Sequence, residues 1–265
     1  MRRIDAHQHF WRLDRGDYGW LTPDLAPIHR DFLPDELEPL MKATGIAGTV
    51  LVQAAATEAE TAFMLSLADE HDFIEGVVGW TDFSAPDAPQ RIAWLAGHPK
   101  LKGLRPMIQD IPEVDWMLRP ELEPAYAAMI EHGLVFDALV LPRHLDNLIM
   151  LLARLPELRV VVDHCAKPAI SAGAFDEWAM QMKMIAEASG AFCKLSGLVT
   201  EAGEDWGVER LRPYVGHVLE VFGPQRTVWG SDWPVCTLAA SYAHWAEATD
   251  ALLADCTADE RVAIL

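Results

Sequence analysis

The chain has 265 residues, 51% of them hydrophobic, and a formal net charge of −19. Such acidity argues against nucleic acid and anionic lipid as partners, since both require clustered Lys and Arg. No apolar run reaches the roughly 18 residues of a membrane span, and Met1-Arg2-Arg3-Ile4-Asp5 turns acidic too early for a secretory leader.

The first predicted strand is Arg3–His9. Residues two apart share a strand face, so His7 and His9 project together, with Asp5 on the same face one step further in. Two imidazoles at a strand end can hold a metal ion or polarise an oxygen. A His-x-His pair alone fits a loop cap and a satisfied core histidine equally well. A long connection from Phe10 to about Leu33 follows, carrying Trp11, Tyr18 and Trp20. Pro34–Thr44 reads as a helix because it opens on proline and acidic residues. Gly48–Gln53 reads as a strand, and Thr57-Glu58-Ala59-Glu60 as a capping box that opens a helix over Thr57–His71. Further strands are predicted at Ile74–Thr81, Leu101–Met107, Leu134–Val140, Leu158–Asp163, Ala191–Leu198 and Arg226–Ser231. They alternate with helices over Ala88–Gly97, Arg119–His132, His144–Arg154, Phe175–Ser189, Gly207–Phe222 and Leu238–Leu253. Gly45, Gly97, Gly133, Gly190 and Gly223 stand where left-handed helix ends are expected. The stretch Arg261–Leu265 follows the last predicted helix closely and leaves open a further stabilising segment.

Several strands are continuously apolar, such as Val50-Leu51-Val52 and Val160-Val161-Val162, as in a parallel sheet covered by helices on its outer face. No linker divides the chain. Eight strands alternating with eight helices therefore predict an α/β fold, one (β/α)8 barrel domain over residues 1–265. An open doubly wound sheet should show a glycine-rich turn after the first strand, and Asp5-Ala6-His7-Gln8-His9-Phe10 has no glycine. The four cysteines, Cys165, Cys193, Cys236 and Cys256, form no Cys-x-x-Cys pair. They suit packed thiols in a reducing cytoplasm.

A barrel gathers the C-terminal ends of its strands at one mouth. Those ends read His7 and His9, Gln53, Trp80 and Asp82, Arg105, Asp137, Asp163 and His164, Lys194, and Ser231 with Asp232. Ionisable groups in such apolar strands are costly unless paired or used, and their recurrence at one end points to a shared site. No Gly-x-Ser-x-Gly elbow occurs, which argues against a Ser-His-Asp hydrolase.

His-x-His, Asp-His-x-x-Lys-Pro and Gly-Ser-Asp-Trp-Pro occur in this order, within Ile4–Trp11, Val161–Pro168 and Trp229–Val235. Together with Lys102–Met107 and Cys193–Leu198, these segments resemble the amidohydrolase superfamily. The resemblance is to its sugar-lactonase branch of L-fuconolactonase- and L-rhamnonolactonase-like proteins, which also contains the 2-pyrone-4,6-dicarboxylate lactonase. It implies a (β/α)8 barrel that hydrolyses a cyclic ester, in the breakdown of a sugar such as L-fucose.

Lactone hydrolysis needs a base for water, an electrophile at the carbonyl oxygen and a proton for the leaving alkoxide. Asp232 is the expected base, and His7, His9 and His164 the expected electrophiles, acting directly or through a metal. Arg105, Lys194, Trp80, Trp11 and Trp233 are the expected substrate contacts, with Trp20 and Trp116 as further aromatic candidates. Lys194 suits neutralisation of the acid cluster equally well. The resemblance implies that relatives with two metals use a carboxylated lysine on strand 4 and histidines on strands 5 and 6; here strand 4 offers Arg105 and strand 5, Leu134–Val140, has no histidine. One divalent ion, zinc, is therefore expected on His7, His9 and Asp232, with His164 as a further candidate. Whether catalysis requires it stays open. A single arginine at the strand ends favours a neutral sugar lactone over a dicarboxylate. The rival readings are a metal-dependent decarboxylase or hydratase of the same superfamily, a dicarboxylate pyrone lactonase, and a silent carbohydrate-binding barrel. A homo-oligomer is compatible with the sequence.

Overall fold

A computed structural model describes residues 2–265. Eight parallel strands lie in one sheet in sequence order: β1 (Arg3–Gln8), β2 (Ile46–Val52), β3 (Ile74–Gly79), β4 (Leu101–Leu104), β5 (Val135–Ala138), β6 (Val160–Val162), β7 (Phe192–Leu195) and β8 (Thr227–Trp229). The helices are α1 (Pro34–Thr44), α2 (Glu58–Glu70), α3 (Ala88–Ala96), α4 (Glu123–Glu131), α5 (Leu145–Arg154), α6 (Asp176–Ala188), α7 (Leu198–Glu201), α8 (Val208–Phe222), α9 (Tyr242–Leu252) and α10 (Ala258–Ile264). The fold is the expected (β/α)8 barrel. No helix among the described residues is long and apolar enough to cross a membrane.

The barrel closes between its first and last strands. Asp232 N donates to His7 O at 2.8 Å, His9 N donates to Trp233 O at 2.7 Å, and Gln8 bridges to Trp233 in parallel sense. The Asp5 carboxylate reinforces the seam by accepting from Ser231 N (2.8 Å), His7 N (3.2 Å) and the Tyr242 hydroxyl (3.1 Å). Burial raises the pKa of this carboxyl to about 6. Asp5 thus departs from the expectation that it shares a face with His7 and His9. The β1–β2 register shifts between Asp5 and Gln8, which interrupts strict alternation, and the carboxylate turns to the start of α9.

Most strands end two to three residues before the sequence pattern does, because the polar strand ends leave the ladder to build the mouth. Among the helix-ending glycines, φ is positive at Gly45, Gly133 and Gly223 but not at Gly97 or Gly190. Helix α5 shows the core-facing logic: Leu145, Leu148, Leu151 and Leu152, at helical spacing, are all buried. Between sheet and helices, the Trp229 indole donates to Thr249 Oγ1 (2.8 Å) and the Trp245 indole to Gly230 O (3.0 Å), so α9 is pinned to β8. Helix α10 was not expected, although Thr257 and Glu260 form a full capping box before it. All four cysteines are free; three are buried and Cys256 is half-buried.

Candidate active site

A cavity of about 190 Å³ opens at the C-terminal ends of the strands, room for roughly six waters. His9, His164 and Asp232 form its floor. Met107, Leu139 and Val235 give it an apolar side, Trp20 and Ala54 another, and Arg105, Gln109, Asp110 and Lys167 bring polar groups.

Close backbone approach assembles this floor. A Cβ on Gly230 would meet His7 Cβ at 2.5 Å, and one on Gly197 would meet His164 Nδ1 at 2.6 Å. Only glycine at these two places lets β8 and the end of β7 pack against the histidines. Backbone strain is concentrated here as well. His164, Cys165, Ala166 and Lys167 all have φ between +49° and +59°, and Asp232 has φ +57°. Left-handed helical residues other than glycine cost about 1–2 kcal/mol each, so four in succession are held by their surroundings. One such anchor is the Trp178 indole, which donates to Cys165 O at 2.8 Å.

Asp232 Oδ1 lies 3.3 Å from His9 Nε2, 3.7 Å from His7 Nε2 and 3.9 Å from His164 Nε2. All these contacts use Oδ1, which leaves Oδ2 without a side-chain partner among the described residues. Burial alone would raise the pKa of Asp232. The histidines around it, His164 first, outweigh it and hold the carboxyl below the ordinary range, so Asp232 is a carboxylate. Burial lowers the pKa of His7 and His164.

His9 Nδ1 sits 2.7 Å from Val52 O, which can only accept, so we assign the His9 proton to Nδ1 and a lone pair to Nε2. His7 Nε2 lies 3.1 Å from that lone pair. The His7 proton has two places. On Nε2 it faces His9, while Nδ1 accepts from Lys194 Nζ at 3.2 Å. On Nδ1 it faces Asp163 Oδ1 at 3.0 Å, a buried oxygen that otherwise lacks a hydrogen-bond partner. The second placement turns His7 Nε2, His9 Nε2 and Asp232 Oδ1 toward one point. Their separations of 3.1, 3.3 and 3.7 Å bracket the ~3.3 Å edge of a tetrahedron with metal–ligand bonds of about 2.0–2.1 Å. These three residues can hold one divalent ion, as expected. His7, Asp163 and His164 form a second such group, but Asp163 is committed to an ion pair.

Beneath the floor lies a buried charge network. Arg105 donates to Asp163 Oδ2 at 2.6 Å and to the Gln53 carbonyl. Lys194 Nζ donates to Asp137 Oδ2 at 2.5 Å and approaches Asp163 Oδ1 at 3.4 Å. Burial and its neighbour Asp163 raise the Asp137 pKa to about 6. Burial would raise Asp163 too, yet His164, His7 and Lys194 hold it well below the carboxylate range.

Several expected contacts lie elsewhere. Lys194, read equally as a substrate contact or as a neutraliser of the acids, lies under the floor beside Asp137 and Asp163 and does not line the cavity. His7, expected as an electrophile, is fully enclosed and does not line the cavity. Trp11 is also fully buried; its indole donates to Arg30 O (2.7 Å) and it packs edge-on to Phe32, clamping the long loop. Trp233 is buried against Phe10 and Phe32, and half-buried Trp80 does not line the cavity. The aromatic wall is Trp20, whose indole donates to Ala54 O at 2.7 Å. Asp82 is spent outside the site on a turn, accepting from Ser84 N (2.9 Å) and Ser84 Oγ (2.6 Å). Sequence reasoning gave no role to Gln109, Asp110, Leu139 or Lys167, although Lys167 stands inside a quoted motif. It also mistook Glu60. Thr57 Oγ1 accepts from Glu60 N as a cap should, but the Glu60 carboxylate turns inward to Ala54 N (3.1 Å) and Ala55 N (2.5 Å). Burial raises the Glu60 pKa to about 7.

Known proteins resemble this chain in sequence and in fold. A family model described as amidohydrolase matches residues 4–265. An L-fucono-1,5-lactonase of Burkholderia ambifaria is 48% identical over 240 residues, covering 91% of this chain and 83% of that protein. An L-fucono-1,5-lactonase of Burkholderia multivorans is 39% identical over 253 residues, covering 91% and 84%. The crystal structure of an amidohydrolase from Burkholderia multivorans with bound zinc superposes with a TM-score of 0.94 at 37% identity, covering 100% of this chain and 96% of that one.

Proposed function

Because this chain belongs to the amidohydrolase family, we propose that it hydrolyses the ring ester of a neutral sugar-acid lactone, of the L-fucono-1,5-lactone type, to the aldonic acid. One observation carries the reading. A buried carboxylate, Asp232, offers one oxygen to three imidazoles and leaves the other for a water in a cavity of about 190 Å³.

In this mechanism Asp232 Oδ2 accepts a proton as water attacks the lactone carbonyl carbon. His164 Nδ1 lies 2.9 Å from Ser196 Oγ; with the serine donating, Nε2–H points to the floor and supports the carbonyl oxygen as it gains charge. The ring C–O bond then breaks, and the alkoxide takes the proton from Asp232. A divalent ion on His7, His9 and Asp232 would act as a Lewis acid at the same oxygen. Arg105 pairs with Asp163 beside His164 and lines the cavity. The Trp20 face takes the C–H surface of the sugar, and Gln109 and Asp110 its hydroxyls. A dicarboxylate would need several arginine forks, and Arg105 is the one arginine at the cavity among the described residues. We place this activity in one barrel domain over residues 1–265, in the cytoplasm, as part of sugar breakdown.

The test is a pH-indicator screen of purified protein against aldonolactones, together with Asp232→Asn. The variant should lose roughly 10²–10⁴ in kcat. An unimpaired variant removes Asp232 as the base, and a wild type inert toward every lactone removes the reading.

A further inference from the structure

We propose that Lys167 is the cation that receives the new carboxylate, touching the oxygen on which negative charge develops and holding the product until release. The proposal rests on the lactonase reading and assigns a residue that reading leaves idle. Two cationic side chains line the cavity, Arg105 and Lys167. Arg105 is paired with the buried Asp163 carboxylate and also donates to the Gln53 carbonyl, so its charge is already matched. Lys167 Nζ has one partner among the described residues, Glu201 Oε1 at 2.9 Å at the end of α7. An ammonium has three N–H donors, so two remain for a ligand.

The backbone explains why this lysine reaches the cavity. Its N–H donates to His164 O at 2.8 Å, closing a left-handed turn over His164–Lys167 that Pro168 ends. That turn brings both His164 and Lys167 to the cavity wall, three residues apart. Glu201 steadies the lysine while leaving a quarter of its side chain accessible.

The reaction itself creates the need. A neutral ester and water become an alcohol and a carboxylic acid, which loses its proton to solvent near pH 7. The resulting anion lies beside Asp232 and Asp110, in a chain of net charge −19. Lys167 transfers no proton in this scheme; it pairs with the tetrahedral oxygen and then with the carboxylate.

The experiment compares wild type, K167M, K167Q and K167R by initial rates on an aldonolactone and by inhibition with its aldonate. K167M and K167Q should each lose roughly 10–100-fold in kcat/KM and need at least tenfold more aldonate for half-inhibition, while K167R recovers most of both. Two neutral variants guard against one that misfolds, and circular dichroism identifies it. The proposal fails if either folded neutral variant keeps kcat/KM and aldonate inhibition within twofold of wild type. It also fails if all three variants lose rate equally with aldonate inhibition unchanged, the mark of a structural role. A wild type that hydrolyses no lactone sinks the lactonase reading instead, which separates the two failures.

Discussion

Arg105→Met tests the network under the floor most severely. Arg105 is 3% exposed, and its guanidinium holds Asp163, which is fully buried, at 2.6 Å. Methionine fills a similar apolar volume but leaves the Asp163 carboxylate to Lys194 at 3.4 Å and His7 at 3.0 Å, and strips the Gln53 carbonyl of a donor. Removing one partner of a buried ion pair costs about 3–5 kcal/mol. For a chain of this size that corresponds to a fall in Tm of roughly 6–20 °C. Thermal and urea unfolding measure it directly. Asp163→Asn added to Arg105→Met should recover part of the loss, because the orphaned charge disappears with it. An Arg105→Met protein within about 1 kcal/mol of wild type would falsify the claim that this pair is mutually dependent.

Glu60 makes a pH prediction. Its folded pKa is raised from 4.5 to about 7, so the folded state binds the proton more tightly than the unfolded one. That contribution is complete below pH 4.5 and vanishes as pH rises through about 7, a change of about 3 kcal/mol. Asp5 and Asp137, raised to about 6, add slope of the same sign to both proteins, so urea unfolding across this range should fall more steeply in wild type than in Glu60→Gln; parallel curves refute it. Dialysed wild type should retain one equivalent of zinc by elemental analysis and melt higher with it, and His9→Asn should lose both properties; equal retention would move the ion elsewhere. Trp20→Ala should raise KM about 3–10-fold with a smaller effect on kcat; an unchanged KM would mean that the sugar stacks on another wall.

The sequence shows the barrel because its period is carried by many residues at once: apolar runs such as Val160-Val161-Val162 and stripes such as those of α5. His9, His164, Asp232 and Arg105 were legible for a related reason, since burying a polar side chain at the end of an apolar strand is costly unless a site uses it. What escaped depends on exact side-chain direction. Nothing in the pattern says that Lys194 bends below the floor while Lys167 bends above it. That difference arises from four left-handed residues without a glycine among them. Glu60 sits in a sequence frame that describes a helix cap, and only the packed turn at Ala54 and Ala55 shows a stronger demand on its carboxylate. Tryptophan is likewise legible as a residue type but not as a location. Trp11 and Trp20 share one loop and meet edge-on at 5.7 Å, yet one is sealed inside and the other 36% exposed.

The seam between β1 and β8 bears on synthesis. His7 and His9 leave the ribosome before Asp232, whose N–H clasps His7 O and which emerges more than two hundred residues later. Pairings that distant in sequence are slow to form. A nascent chain therefore carries an unfinished pocket while more than two hundred residues are added, and truncation before β8 removes ring closure and the Asp232 side of the pocket together. Proteolytic fragments that lack either end should be inert as well as unstable.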